Sequence, residues 1–211
     1  MLLGYNFYKF SNSAIPMIEV SSLTSTNPST HLRWTSADLE LFPEDGKRYE
    51  IIDGELLMSR APHSKHQKVC GRLFSVLDSW SRATGLGETE LGVGLIFGES
   101  DEVIPDLMWL SRQKYEALID SAGHFRGAPE LVIEVLSAGK EQERRDRQLK
   151  LKLYSNHGVM EYWIADWRTK QIEVYRREGG VLQLEQTLGV TDTLTSPLLP
   201  NFACPLEQVF D

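Results

Sequence analysis

Two acidic residues stand inside runs that otherwise read as buried β-strand: Glu134, between Ile133 and Val135, and Asp106, within residues 103–109. Taking an ionised carboxylate out of water without a partner costs several kcal/mol even after the protein relaxes. Each acid must therefore meet a cation, pair with an arginine or lysine, shift its pKa, or face solvent from an edge strand. Side chains alternate along a strand, so Ile104, Asp106 and Met108 share one face, as do Glu130, Val132, Glu134 and Leu136. Glu130 stands at the strand entrance and reads as solvated. If the two strands are neighbours, Asp106 and Glu134 converge, and a divalent cation is the usual answer to their repulsion. Hard oxygen donors with open water positions favour magnesium or manganese.

Further along, Asp146, Lys150 and Tyr154 recur at four-residue steps and share one helix face, from which Lys152 points away. Together they either serve the strand acids or form a solvated pair worth a few tenths of a kcal/mol. Lys140, Arg144, Arg145 and Arg147 make a local basic cluster. It can contact phosphates or, interleaved with Glu141 and Glu143, simply face solvent. His66 falls one turn before Cys70 and can meet a substrate phosphate or support a ligand, although a lone helical histidine is more often structural. His63 has less to single it out.

The elements that must position these groups follow from periodicity and turn chemistry. Residues 35–38 cap a short helix to about Leu41, ended by residues 43–46. Asp53-Gly54 between residues 49–52 and 55–58 predicts a tight hairpin. Val69, Leu73, Val76, Leu77 and Trp80 give a helix over residues 64–82 one buried face, closed by Gly85. Strands are predicted at residues 91–97 and 102–110, and Ser111 caps a helix through Ile119. Residues 130–136 are apolar enough for a central strand covered on both faces. A charged helix over residues 142–156 ends at Gly158, and strands follow at 160–165, 171–176 and 181–186. Pro197, Pro200 and Pro205 predict an irregularly packed tail. Strands interleaved with helices imply an α/β core around a mixed sheet.

A chain of 211 residues suits one domain over residues 31–211, with residues 1–30 a disordered or atypical extension and Met17 an alternative start. A hydrophobic share of 41% with 25% charged residues supports a real core. Nothing approaches the roughly 18 consecutive apolar residues of a membrane helix, and the N-terminus lacks the order of a secretory signal. Cys70 and Cys204 fit no metal-knuckle spacing, so two reduced thiols in a cytoplasmic protein are expected. Lys plus Arg number 22 against 30 Asp plus Glu, a net charge of -8. That counts against a non-specific DNA binder held by phosphate neutralisation. It counts less against a metal-dependent nuclease, whose bound cations offset clustered carboxylates.

Several groups of residues occur in a telling order: residues 49–56, His66, Pro105-Asp106, residues 127–137, Arg145-Asp146-Arg147, Lys150, Tyr154, Gly158-Val159, Glu161-Tyr162-Trp163 and residues 196–200. In that order they resemble the Uma-type family of restriction-endonuclease-like proteins, a large bacterial group common in cyanobacteria. The resemblance spans about residues 33–210. It implies the restriction-endonuclease-like PD-(D/E)xK fold, a central mixed sheet flanked by helices, with a metal-dependent phosphodiesterase site. On that resemblance Pro105-Asp106 matches the PD element, Glu134 the second acid, and Glu55 an additional acid from upstream, all three ligating Mg2+ or Mn2+. The motif's lysine should stand where this chain has Leu136, which cannot donate to an attacking water; Lys150, on the next helix, is its expected substitute. The implied activity is hydrolysis of DNA phosphodiesters by Glu55, Asp106, Glu134 and Lys150, with His66, Arg145 and Tyr154 touching substrate and a homodimer by analogy. The alternative is a nuclease fold that lost its chemistry and acts as a binding or interaction module, which the absent lysine and the net charge favour.

Overall fold

The computed structural model describes residues 32–43 and 45–211, so the extension and alternative start expected within residues 1–30 lie outside the described residues. The Asp38 carboxylate accepts from the Thr35 amide and hydroxyl and caps α1 (Ser36–Leu39). β1 (Arg48–Ile52) and β2 (Glu55–Ser59) turn on Asp53 and Gly54, at φ 51° and 74°. Positive φ at both central residues is what matches the hairpin turn to the strand twist. α2 (Ser64–Thr84) ends on Gly85 in the left-handed region. There follow β3 (Gly87–Leu91), β4 (Leu95–Gly98), β5 (Asp101–Val103), β6 (Leu107–Ser111), α3 (Arg112–Leu118), β7 (Phe125–Arg126) and β8 (Leu131–Val135). The charged stretch expected as one helix is instead α4 (Lys140–Arg144), a π-helical segment (Arg145–Lys150) and α5 (Leu151–His157). β9 (Glu161–Asp166), β10 (Gln171–Glu178), β11 (Val181–Gly189), β12 (Thr193–Leu194), β13 (Cys204–Pro205) and α6 (Glu207–Phe210) complete the chain.

A six-stranded sheet, β11-β10-β9-β8-β6-β3, is mixed: β8 and β9 run parallel and its other pairs antiparallel. A second sheet has the order β2-β1-β5-β4-β7. Alternation divides the larger sheet between two cores. Leu107, Trp109, Leu131, Ile133 and Trp163 pack on α2 and the end of the chain. Met108, Val132, Tyr162 and Ile164 pack on Leu95 and Val103 of the smaller sheet and on Leu153 and Tyr154 of α5. Every residue of β8 is buried, so Glu134 has protein on both sides.

Two strands depart from the expected bounds. The run expected over residues 91–97 breaks at residues 92–94, and β3 begins earlier, at Gly87. A Cβ there would stand 2.1 Å from the Leu110 carbonyl oxygen, so the missing side chain is what lets β3 close on β6. The run expected over residues 102–110 breaks at Ile104-Pro105-Asp106. Pro105 has no amide to donate, and the chain there leaves the smaller sheet for the larger one. Asp106 sits in that break, not inside a strand.

The tail expected to pack irregularly is core. Leu194, Leu199, Phe202, Cys204, Leu206 and Val209 are all buried; the prolines limit strand pairing without preventing burial. Glu161 on β9 ties this tail to the sheet, accepting from Trp163 Nε1 (3.0 Å), Arg176 Nε (3.3 Å) and Ser196 Oγ. Both cysteines are free and buried. Among the described residues no helix is long and apolar enough to cross a membrane. Phe202, between the rings of Trp80 and Trp163, gives the test: Phe202→Ala should cost about 3–5 kcal/mol in urea unfolding. A value near wild type would show that the tail is not part of the core.

Candidate active site

One step beyond the Leu107–Ile133 pair of β6 and β8, the register sets Asp106 opposite Glu134. Both carboxylates are buried and line one small pocket, of about 80 Å³, at the strand ends. The bend at Asp106 turns its Oδ2 to the Val135 amide (3.0 Å) and His66 Nε2 (3.1 Å), while Oδ1 accepts from Arg48 Nη1 (3.3 Å). Glu134 Oε1 accepts from Lys150 Nζ and from the Tyr154 hydroxyl, each at 2.8 Å. Lys150 Nζ also lies 2.9 Å from Glu50 Oε1, and that oxygen accepts from the Ile104 amide at 2.9 Å, just before Pro105.

The π-helical segment explains how one short stretch contributes three side chains. An α-helix turns about 100° per residue, so it would hold Arg145 away from the face shared by Asp146 and Lys150. The wider turn lets all three line the pocket. Tyr162 donates to the Asp146 carbonyl at 3.1 Å within this segment.

Glu50, Asp106, Glu134 and Asp146 are four buried carboxylates around one fully buried cation, Lys150. Arg145 is partly buried and Arg48 lies at the rim. Burial pushes the Glu134 carboxyl up against the pull of Lys150, and Asp106, Asp146 and Glu50 add to it, to about 8. Burial likewise raises Asp146, which Lys150 and Arg145 partly oppose. Glu50 and Asp106 move down: Lys150 and Arg145 overcome burial for the first, His66 and the Val135 amide for the second. Burial disfavours the charged forms of Lys150 and His66, yet the acids beside them win and raise both pKa values. The surplus negative charge therefore falls on Glu134, where a proton or a bound cation can neutralise it.

Of the residues singled out from the sequence, Asp106, Glu134, Lys150, His66 and Arg145 line this pocket. Tyr154, expected to touch substrate, is fully buried, bonds Glu134 Oε1 and does not line the pocket. Glu55 is not brought in. It is exposed and lines a second cavity with Asp53, Asp101, Lys152 and His157. It shares a hairpin face with Glu50, since Glu50 pairs with Leu57 and Ile52 with Glu55, but it stands at the turn end. Glu50 is the hairpin acid of the pocket, and the sequence reading passed it over. Its signal was available, an acid between Tyr49 and Ile51, the same signature that marks Glu134. Asp146 and Lys150 are buried, not a solvated pair. Elsewhere in the basic cluster, Arg147 pairs with Glu173 and Arg144 is exposed.

His66, Cys70 and Asp106 bring three donor atoms within 4.8 Å of one another. Cys70 Sγ lies 3.5 Å from His66 Nδ1, whereas Asp106 faces Nε2. A neutral imidazole offers only one of its nitrogens to an ion, and these two neighbours stand beside different nitrogens. Burial and the Asp106 and Glu134 charges also push the Cys70 thiol well up. Asp106 with Glu134 offers two hard carboxylates facing one pocket. Magnesium is commonly held by one or two carboxylates plus waters and substrate phosphates.

Residues 36–207 match the model of the Uma2 family, described as "Putative restriction endonuclease". A crystal structure of "a putative nuclease belonging to DUF820 from Anabaena variabilis ATCC 29413" aligns with a TM-score of 0.67 at 19% identity, over 83% of this chain and 97% of that one. At that identity the likeness establishes the fold, in agreement with the mixed α/β core.

The raised Glu134 pKa sets a sign for stability. The folded protein keeps a proton there that the unfolded chain releases, so this contribution is full below 4.5 and is lost as pH rises toward about 8. Over that interval the wild type should lose stability relative to Glu134→Gln, read by urea unfolding at successive pH values. Parallel curves would show that Glu134 does not carry the surplus charge.

Proposed function

This chain belongs to the Uma2 family, and from that premise we propose that it hydrolyses DNA phosphodiester bonds with magnesium or manganese. The observation that carries the reading is the burial of Asp106 opposite Glu134, with Lys150 bonded to the second acid. Asp106 and Glu134 would hold the ion, which when bound supplies a water of lowered pKa and offsets charge on the phosphate.

The chain's own groups do the rest. Lys150 stands in for the lysine that Leu136 displaces, and its Nζ orients and polarises water at Glu134. Glu50 holds Lys150 from the other side and, through the Ile104 amide, fixes the bend that presents Asp106. Lys150 and Tyr154 both bond Glu134 Oε1, which leaves Oε2 outside those two bonds. His66 holds Asp106 by Oδ2, and Arg48 and Arg145 supply donors for phosphate oxygens at the pocket mouth.

A second reading, a nuclease fold kept for binding alone, is favoured by the same lysine. A Lys150 already bonded to Glu134 and Glu50 can be wholly structural. Asp106→Asn separates the two. It should lower magnesium-dependent plasmid cleavage by about 100-fold or more, remove the heat of manganese binding and keep the urea midpoint near wild type. Full cleavage by that variant overturns the assignment. A wild type that shows no cleavage and no heat of manganese binding supports the second reading.

A further inference from the structure

The small pocket opens into a wider groove of about 680 Å³, the two sharing Ser59, Arg60, Ala61, Pro62, Ser137 and Arg145. Its walls are the loop between β2 and α2 and the loop between β8 and α4. Arg145 donates to Ser59 Oγ at 2.8 Å and so ties the π-helical segment to the end of β2. Arg60 is exposed where pocket and groove meet.

His63 lines the groove but not the pocket. Its ring is stacked on Trp167, with centroids 4.9 Å apart and planes 5° from parallel. Trp167 stands outside the groove lining and is anchored by its Nε1, which donates to the Leu136 carbonyl at 2.9 Å. It therefore covers one face of the imidazole of His63, a residue exposed along the groove.

We propose that this groove holds an unpaired segment of nucleic acid, with Arg60 on a backbone phosphate and the Trp167-backed ring of His63 stacked on a base. This rests on the nuclease reading and names its substrate as single-stranded or locally unpaired strand. A base offers its face to a side chain only where its neighbours no longer stack on it; a duplex offers edges. The arrangement also suits a chain of net charge -8. Such a chain gains little from neutralising many phosphates, so stacking must supply much of its hold.

The test separates ring from cap, because His63 Nδ1 also accepts from the Lys65 amide at 3.1 Å at the start of α2. His63→Asn keeps a capping acceptor and removes the ring; His63→Phe keeps a ring and removes the cap. Binding of a labelled oligothymidylate is read by fluorescence anisotropy without divalent ion, apart from any cleavage. The wild type should bind the single strand more tightly than the same strand paired with its complement. His63→Asn and Arg60→Ala should each weaken single-strand binding about tenfold, and His63→Phe should retain it. Single-strand binding by His63→Asn and Arg60→Ala as tight as wild type overturns the inference, as does equal affinity for the duplex. A wild type that binds the single strand with this ring dependence yet never cleaves with magnesium keeps this inference and loses the nuclease reading. Cleavage that persists while binding ignores the ring does the reverse.

Discussion

A carboxylate planted in a strand covered on both faces has no water to solvate it, and the site is built around answering that charge at Glu134. Lys150 and Tyr154 come to it from the far core, the lysine at the end of the π-helical segment that also brings Arg145 to the pocket. Lys150 cannot satisfy Glu134 alone, because it is shared with Glu50, and Asp106 and Asp146 press further negative charge on the same space. The raised pKa of Glu134 and the affinity proposed for a divalent ion are two expressions of one surplus. Removing any one of these groups should disturb the others, since buried charges in contact do not act independently.

Glu161 shows that burial of an acid is not by itself a functional mark. It stands on β9, beside β8, in an equally apolar run, and is more deeply buried than Asp106. Its oxygens meet Trp163, Arg176 and Ser196, donors that close the site and bind the tail to the sheet. Glu134 has two donors, Lys150 and Tyr154, but also shares its space with Glu50, Asp106 and Asp146. The difference between a structural knot and a reactive centre lies in the neighbours, which sequence alignment along one strand cannot reveal.

Periodicity made α2, the hairpin at Asp53-Gly54 and the central strand β8 readable from residue types alone. The meeting of Asp106 and Glu134 was readable too, conditional on adjacent strands, and β6 does lie beside β8. What escaped depends on long-range geometry. Glu50 and Glu55 share a hairpin face, and only the packing of the π-helical segment against one end of that face decides which enters the pocket. Pro105 marked a break that the apolar run around it obscured. The proline-rich tail was read from its poor strand chemistry, although Leu199, Phe202 and Leu206 carry enough apolar surface to complete the core. The irregular helix leaves no periodic trace, because Asp146, Lys150 and Tyr154 share a face in an ideal helix as well.

The most direct measurement is the anomalous difference map of a crystal soaked in manganese. The expected result is one strong peak between the carboxylates of Asp106 and Glu134, at the mouth of the pocket lined by Lys150. A peak on His66 and Cys70, or none near Glu134 at saturating manganese, would contradict the claim that these two acids are held together to bind a cation.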